Sequence, residues 1–138
     1  MKSIFSLKIN VYYEDTDESG YVYHTNYIKY AERARTEMLK EIFPDFINLL
    51  KKGNFFFVVK DLNVNFIKPC TLFDELYVNT RLKELKKTSL ILNQRIYKKD
   101  TIYCEINVRL VWIKKIKNKP SKINIDLMSR LNLLKKCK

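Results

Sequence analysis

The sequence predicts a single α+β domain in which one long helix packs against an antiparallel sheet of about five strands. The chain has 138 residues, a length that suits one domain with its own core. Its first half contains an apolar stripe with helical spacing, and its second half alternates apolar and polar residues as half-buried strands do. With 46% hydrophobic residues and only 2 glycines, it is not a disordered or collagen-like chain.

The first half of the chain predicts a strand, a turn and the long helix. Residues 4–12 read as the strand, and residues 14–20 are rich in Asp, Ser and Gly, as turns are. A helix of about 16 residues is predicted from about Asn26 to Ile42, because apolar residues recur at steps of three and four. Thr25 or Asn26 is expected to cap its start. The stripe consists of Tyr27, Tyr30, Ala31, Ala34, Met38 and Ile42.

The second half predicts a short helix and then strands. The short helix is expected from Pro44, and Gly53 follows its end. Beyond it, four segments alternate apolar and polar residues, which predicts an antiparallel meander with one buried face. These segments are 61–67, 72–83, 88–97 and 102–113. In the first of them, the buried face is expected to carry Leu62, Val64 and Phe66.

A strand, a long helix and a run of strands together form a two-layer domain with the sheet curled around the helix. This layout is that of a hotdog fold, with a long central helix wrapped by the sheet. Residues 1–138 are therefore expected to form one such domain. Residues 114–138 form a basic linker and tail, in which 124–134 either fold as a short C-terminal helix or fray.

The charge of the chain narrows the list of partners. A net charge of +12 predicts attraction to polyanions such as acidic carrier proteins or phosphate-bearing ligands. The lysines are scattered, and neither a glycine-rich RNA motif nor zinc-ligand spacing accompanies them, so no nucleic-acid partner is expected. No apolar run is long enough to span a bilayer and no export signal is recognisable, so we expect no membrane insertion and a cytoplasmic protein.

Cysteine and histidine exclude further classes of site. Cys70, Cys104 and Cys137 are far apart and form neither a disulfide framework nor a metal-ligand cluster, so buried reduced thiols are expected. His24 is the single histidine, which removes most zinc and catalytic-triad schemes. We expect no metal site and no cofactor.

The segment between the first strand and the long helix, residues 11–27, is where chemistry is expected. A loop that ends at a helix N-terminus offers unpaired N–H groups and the positive end of the helix dipole. These suit a carbonyl oxygen that becomes an oxyanion. A carboxylate just upstream can act on the same carbonyl as a nucleophile or as a base for water.

Several motifs along the chain match one known pattern of residues. They are Tyr13–Asp17, Gly20, Val22–His24, Asn26–Tyr27, Glu32–Leu39, Val58–Lys60, Pro69, Asp74, Thr88–Leu90 and Gln94–Ile96. Together they closely resemble the 4-hydroxybenzoyl-CoA thioesterase family over roughly residues 6–113. The resemblance is greatest to its bacterial branch of acyl-CoA thioesterases associated with the Tol-Pal system.

This resemblance implies a fold, an assembly and a reaction. The fold is the hotdog fold, which dimerises through its sheet and has active sites at the subunit interface, so a homodimer or a homotetramer is expected. The reaction is hydrolysis of acyl thioesters to free acid and thiol, without a cofactor. The substrate is an acyl-CoA or an acyl group on the phosphopantetheine arm of acyl carrier protein.

The resemblance also assigns the catalytic residues. The catalytic carboxylate falls on Asp17, as nucleophile or as general base, although an isolated Asp in this setting would be read as a turn residue. The N–H that polarises the carbonyl falls on His24, whose side chain adds a donor or a base. Asp15 is expected to be structural, or to raise the pKa of Asp17 if the two carboxylates lie close.

Four further residues are expected to contact the substrate. Tyr21 stands where the family has Val or Ile, and it is expected to line the acyl site and to influence acyl-chain preference. Thr25 is either a substrate contact or a helix cap. Thr88 and Ser89 either meet the pantetheine of a partner subunit or serve only the turn before a strand.

Two alternatives remain open at this level. Arg33 and Arg35 are expected to form a buried ion network with Glu32 and Glu37, or to lie at the subunit interface. The alternative function is that of a binding partner of acyl carrier protein or of phospholipid synthesis, with weak or no hydrolytic activity.

Overall fold

The computed structural model describes residues 3–136, so the interpretation of Cys137 as a reduced thiol lies outside the described residues. The helices and strands follow one another along the chain with a short 3-10 turn after the first strand. They are β1 (Ile4–Asn10), the 3-10 turn (Tyr13–Asp15), α1 (His24–Ile42), α2 (Phe46–Lys51), β2 (Phe55–Phe66), β3 (Glu75–Leu85), β4 (Ser89–Lys98), β5 (Thr101–Lys114), β6 (Lys119–Pro120) and α3 (Ile125–Lys136).

The strands form one antiparallel sheet in the order β1-β3-β4-β5-β2, and β6 adds a short pairing to β5. The predicted meander is confirmed for β3, β4 and β5. It is wrong for β2, which pairs with β5 from Phe55↔Lys114 to Phe66↔Cys104 instead of with β3. The 14-residue β5 offers the 12-residue β2 a partner along its whole length. β2 thereby becomes one edge of the sheet.

The helix α1 covers one face of this sheet, and its predicted apolar stripe is buried in full. The predicted caps are wrong. Tyr23 occupies the cap position without a side-chain hydrogen bond, and the helix already begins at His24. Thr25 and Asn26 lie inside its first turn, where the Asn26 amide donates to the Asp15 carbonyl at 2.8 Å.

The β2 edge of the sheet exposes apolar side chains. Leu62 is 37% exposed and Phe66 is 49% exposed, so the prediction that they lie on a buried face is wrong in the single chain. They do point to the helix side, since they pair with the buried Val108 and Cys104. They stay open because α1 packs mainly on β1 and β3 and reaches β2 only at its Phe66 end.

A polar network separates the core into two apolar clusters. The fully buried Gln94 donates to the Ala31 carbonyl (2.8 Å) and to the Thr80 hydroxyl (2.9 Å), and it accepts from Arg35 (3.0 Å). Arg35 is only 6% exposed, and burial lowers its pKa. The predicted ion network is therefore wrong for Arg35, whose hydrogen-bond partner is a neutral amide. Arg33 lies 5.9 Å from the Tyr30 ring.

The C-terminal segment folds as the helix α3 and does not fray over its described residues. Asn124 caps it by accepting from the N–H groups of Asp126 (3.0 Å) and Leu127 (3.2 Å). The buried face of α3 joins the core cluster at the C-terminal half of α1. That face consists of Leu127, Leu131 and Leu134.

The two described cysteines are buried and free, as expected. Burial raises the pKa of the Cys70 thiol to about 11 and that of Cys104 to about 12. Both thiols are therefore protonated at neutral pH and are poor nucleophiles. Among residues 3–136, no helix has both the length and the apolar character needed to cross a membrane.

Candidate active site

The chain between β1 and α1 folds as a small hairpin, which we call the Asp17 hairpin. Its ends form an isolated antiparallel bridge between Thr16 and Val22. At the tip, the Gly20 N–H donates to the Asp17 carbonyl (3.1 Å), and the Asp17 N–H donates to the Tyr21 carbonyl (2.9 Å). Gly20 has φ +84°, a left-handed conformation that closes such a tip without strain only at glycine.

The Asp17 side chain lies exposed at the tip of this hairpin. Its carboxylate accepts from the Ser19 N–H at 2.8 Å and from the Ser19 hydroxyl. These bonds, that of the hydroxyl first, lower the pKa of the Asp17 carboxyl below its usual value. The carboxylate is thus ionised at neutral pH, the form that both a nucleophile and a general base require.

Asp15 anchors the hairpin to α1. Its buried carboxylate accepts from the Tyr12 N–H at 2.9 Å, and its carbonyl accepts from the Tyr23 N–H at 2.9 Å. The structural role expected for Asp15 is therefore what the structure shows. The other idea, that Asp15 raises the pKa of Asp17, is wrong, because that pKa is lowered and Ser19 dominates it.

The start of α1 presents free backbone donors beside the hairpin. Within residues 3–136 the N–H groups of His24 and Thr25 have no hydrogen-bond acceptor, as expected for an uncapped first turn. The His24 imidazole is exposed and packs against two aromatic rings, with centroid distances of 4.6 Å to Tyr23 and 6.3 Å to Phe66. The positive end of the helix dipole favours a developing oxyanion at this place.

The structure brings four of the six predicted site residues into this one segment. Asp17 and Tyr21 share the hairpin, and His24 and Thr25 share the first turn of α1. Tyr21 is 47% exposed and bridges to Thr71, so its ring stands at the surface of the segment. In the described part of the chain, no hydrogen bond or ion pair joins Asp17 to His24.

Thr88 and Ser89 lie at the other end of the sheet. Ser89 pairs with Val111, whereas Phe66, which packs on His24, pairs with Cys104. Seven residues of extended β5 separate these two levels, about 24 Å at roughly 3.4 Å per residue. A single chain therefore does not bring Thr88 and Ser89 to Asp17.

Two residues at the site escaped the sequence analysis. Ser19 fixes the Asp17 carboxylate, and the Asp-Glu-Ser-Gly order at the tip is the signal that could have found it, because Asp often accepts from the N–H two residues on in turns. Phe66 packs on both His24 and Tyr27 at the end of β2. Its pattern only indicated a core position, and nothing local to it indicates the contact with α1.

A groove of about 220 Å³ opens between α1, α2 and β2 farther along the helix. Its walls are mostly apolar, and Arg35 and Glu32 also line it. The apolar wall residues are Leu39, Phe46, Leu50, Phe56, Phe57, Val59 and Leu110. Over residues 3–136, no three His, Cys, Asp or Glu side chains stand close enough together to hold a metal ion.

Comparisons with known proteins agree with this picture. A family model described as Thioesterase superfamily matches residues 19–105. The chain is 37% identical over 119 residues to the acyl-CoA thioester hydrolase YbgC of Escherichia coli O157:H7, covering 86% of this chain and 88% of that protein. It is 36% identical over 126 residues to the acyl-CoA thioesterase YbgC of Helicobacter pylori strain J99, covering 90% and 86%.

A solved structure supports the architecture as well. The crystal structure of a probable thioesterase from Bartonella henselae superposes with a TM-score of 0.78 at 27% identity, covering 89% of this chain and all of that one. The sheet curled around α1 is therefore the predicted hotdog fold, and the predicted family is confirmed. The chain belongs to the thioesterase superfamily and is a thioester hydrolase.

Proposed function

We propose that this protein hydrolyses acyl thioesters of coenzyme A to a free acid and a thiol, with Asp17 as its catalytic carboxylate. One observation carries the proposal. An ionised carboxylate, fixed by Ser19, sits on the hairpin that leads directly into the uncapped N-terminus of α1. The names of the two relatives at 36–37% identity support coenzyme A as the acyl carrier.

The thioester carbonyl oxygen accepts a hydrogen bond from the His24 N–H, which stabilises the negative charge that develops there. In one route, Asp17 attacks the carbonyl carbon and expels the thiolate, and water then hydrolyses the resulting anhydride. In the other, Asp17 takes a proton from water, and the hydroxide attacks the carbonyl. The thiolate leaves with a proton from solvent in both, and the products are the same.

The side chain of His24 and the ring of Tyr21 are proposed to shape the site further. The exposed imidazole stands beside the proposed oxyanion position, where it supplies a second donor or a base. Tyr21 is proposed to line the acyl pocket and to restrict its width, because it is bulkier than the Val or Ile of the family pattern. Thr25 is proposed to contribute its free N–H beside that of His24.

The assembly is proposed to be a homodimer paired through the free edge of β2. That edge is 12 residues long, and an unpaired strand of this length invites pairing. Val59, Leu62, Phe66 and Ile67 expose between 37% and 49% of their surface along it, and a second copy would bury them. A homotetramer would be two such dimers.

A two-fold axis across this edge also completes the site. It runs the two β2 strands antiparallel, so the Phe66 end of one copy adjoins the Phe55 end of the other. Lys114, which pairs with Phe55, belongs to the same end of the sheet as Thr88 and Ser89. These two hydroxyl groups of a second copy are therefore proposed to contact the pantetheine of a substrate held at Asp17.

The test is thiol release from short, medium, long and aromatic acyl-CoAs by the wild type and by Asp17→Asn. Asparagine keeps an oxygen that accepts from Ser19, so the hairpin is retained while the negative charge is lost. We expect a loss of about 10²–10⁴-fold in kcat. The matched control is Glu18→Gln, which neutralises the exposed neighbouring carboxylate. This variant should hydrolyse acyl-CoAs at the wild-type rate. Wild-type hydrolysis by Asp17→Asn would overturn the assignment.

Carrier-protein substrates, or a binding role without hydrolysis, form the second candidate. The net charge of +12 favours them, because acyl carrier protein is acidic. A pull-down with purified acyl carrier protein at low and high salt tests this candidate. No retention at low salt excludes it, whereas salt-sensitive retention together with inactivity on every acyl-CoA would favour it over the first proposal.

A further inference from the structure

The turn after β5 concentrates positive charge and an exposed isoleucine in one ordered element. We call residues 114–122 the basic hairpin. It holds five lysines and no acidic residue. Among the described residues, none of the five lies within ion-pair distance of a carboxylate. At its tip, Ile116 is 83% exposed, and Ile125, just beyond the hairpin, is 81% exposed.

The basic hairpin is an ordered, hydrogen-bonded element rather than an irregular loop. β6 pairs with β5 through Ile113↔Pro120 and Lys114↔Lys119. The Ser121 N–H donates to the carbonyl of the buried Trp112 at 2.8 Å. The fold therefore projects Ile116 into solvent, where an isoleucine gains nothing from burial within its own chain.

Lysines from two other segments lie next to the hairpin. The Lys115 N–H donates to the Asn54 carbonyl at 2.9 Å, which places the end of α2, with Lys51 and Lys52, beside it. The Ile123 N–H donates to the Lys87 carbonyl at 2.9 Å, which places the turn before β4 beside the basic hairpin as well. Positive charge from three segments thus converges at one end of the sheet.

We propose that the basic hairpin docks the protein on an anionic lipid surface, with its lysines at the headgroup phosphates and Ile116 in the interfacial layer. Lysines near such a surface and one apolar side chain placed among them are the two contributions that hold peripheral proteins on bilayers. This is surface binding without a spanning segment, and it goes beyond the sequence expectation of no membrane insertion.

The composition of the hairpin favours a bilayer over other polyanions. RNA-binding surfaces rely on aromatic or arginine side chains that stack on bases, and residues 114–122 contain neither. An acidic protein would neutralise the lysines without requiring an isoleucine at the tip. The proposed dimer leaves the hairpin accessible, because β6 pairs with the edge of β5 opposite to β2.

The test is flotation of the full-length protein with vesicles of phosphatidylcholine alone or with added phosphatidylglycerol, at low and high salt. We expect binding only to the anionic vesicles and weaker binding at high salt. Lys115→Ser with Lys117→Ser should weaken binding about 30-fold. The matched control removes two exposed lysines elsewhere, Lys29→Ser with Lys135→Ser, and should bind more tightly than the hairpin variant.

The isoleucine separates lipid docking from general attraction to polyanions. Ile116→Ser should lower vesicle affinity about tenfold, and Ile116→Leu should restore it. Absence of vesicle binding overturns the proposal. So does vesicle binding that Ile116→Ser leaves unchanged. Retention of the protein on RNA or on an acidic protein as strong as on anionic vesicles also overturns it. Variants of the basic hairpin should hydrolyse soluble acyl-CoAs at the wild-type rate, and Asp17→Asn should still float with anionic vesicles. A failure of the lipid-docking proposal is therefore distinguishable from a failure of the proposed reaction.

Discussion

The two ends of the sheet differ in charge and in the chemistry that they carry. One end holds the Asp17 hairpin, with Glu14, Asp15, Asp17 and Glu18 within five residues. The other end holds the hydroxyl groups of Thr88 and Ser89 and the lysine-rich turns. The first end has the carboxylate and the backbone donors that are proposed for the reaction, and the second has the hydroxyl groups that are proposed to contact pantetheine. Since about 24 Å of strand separates them, each end of one chain lacks what the other provides.

Antiparallel pairing of two copies across β2 would bring unlike ends together. It would bring the carboxylate and the backbone donors of one copy toward the hydroxyl groups of Thr88 and Ser89 of the other. In the proposed dimer, the exposed β2 edge and the division of the proposed site between two ends have one explanation. Whether the two ends depend on each other can be tested by disrupting the β2 edge and then each end in turn.

The largest effect is expected from breaking the β2 edge. Val59→Asp with Leu62→Asp places charge where the second copy would pack, and we expect a folded monomer with at least about 100-fold lower kcat/KM, comparable to the loss of a catalytic group. Light scattering reports the mass, and circular dichroism reports folding. Ile47→Asp, at an exposed apolar residue of α2, should remain dimeric and active. A fully active monomer would contradict the shared site.

Mixing two inactive variants should restore activity. Asp17→Asn lacks the carboxylate, and Thr88→Ala with Ser89→Ala lacks the hydroxyl groups. If each site combines one end of each copy, a heterodimer contains one intact site, and the mixture should recover a substantial fraction of wild-type activity after subunit exchange. No recovery, despite heterodimers detected by native mass spectrometry, would contradict a site that is shared between the two copies.

The buried network between the two core clusters should contribute to stability more than to chemistry. Gln94→Leu leaves the Arg35 guanidinium buried without its acceptor, and we expect a loss of about 2 kcal/mol in the free energy of unfolding. Urea denaturation measures it. Adding Arg35→Met should recover most of the loss, because a buried apolar pair tolerates the site better than an unpaired charge does. A double variant less stable than the single one would argue against this account.

The smallest effect concerns pH. The Ser19 hydroxyl lowers the pKa of Asp17, so Ser19→Ala should raise that pKa toward its usual value. Fewer carboxylates are then ionised in mildly acidic solution, and the acid limb of the kcat/KM profile moves to higher pH. Hydrolysis at neutral pH should hardly change, and Ser129→Ala on α3 should leave the profile as it is. An acid limb that does not move would show that another group controls it.

The periodic parts of the fold could be predicted from the sequence because their signals are local. The spacing of Tyr27, Ala31, Ala34 and Met38 alone defines the buried face of α1. Alternation identifies β3, β4 and β5, whose buried face carries Leu76, Leu92 and Val108. The Asp17 segment was recognised because its motif lies in one continuous stretch of chain.

The remaining features depend on distant parts of the chain. Leu62 and Phe66 alternate like core residues, yet they are exposed because β2 pairs with β5 and so lies at the edge. Arg35 looked like one half of an ion pair, but its acceptor is Gln94, 59 residues away. The separation of Thr88 from Asp17 follows from where β2 and β4 pair along β5, which no local pattern encodes.

Gly20 carries a consequence for redesign of the Asp17 hairpin. Nothing lies within 4 Å of the position that a Cβ would take there, so an alanine would touch no other group. An L-residue at φ +84° would nevertheless cost about 1 kcal/mol, whereas a D-alanine would adopt that conformation readily. The orientation of the Asp17 carboxylate thus depends on the left-handed backbone conformation at one position. The residues around it can be exchanged for another loop as long as glycine or a D-residue is kept at that position.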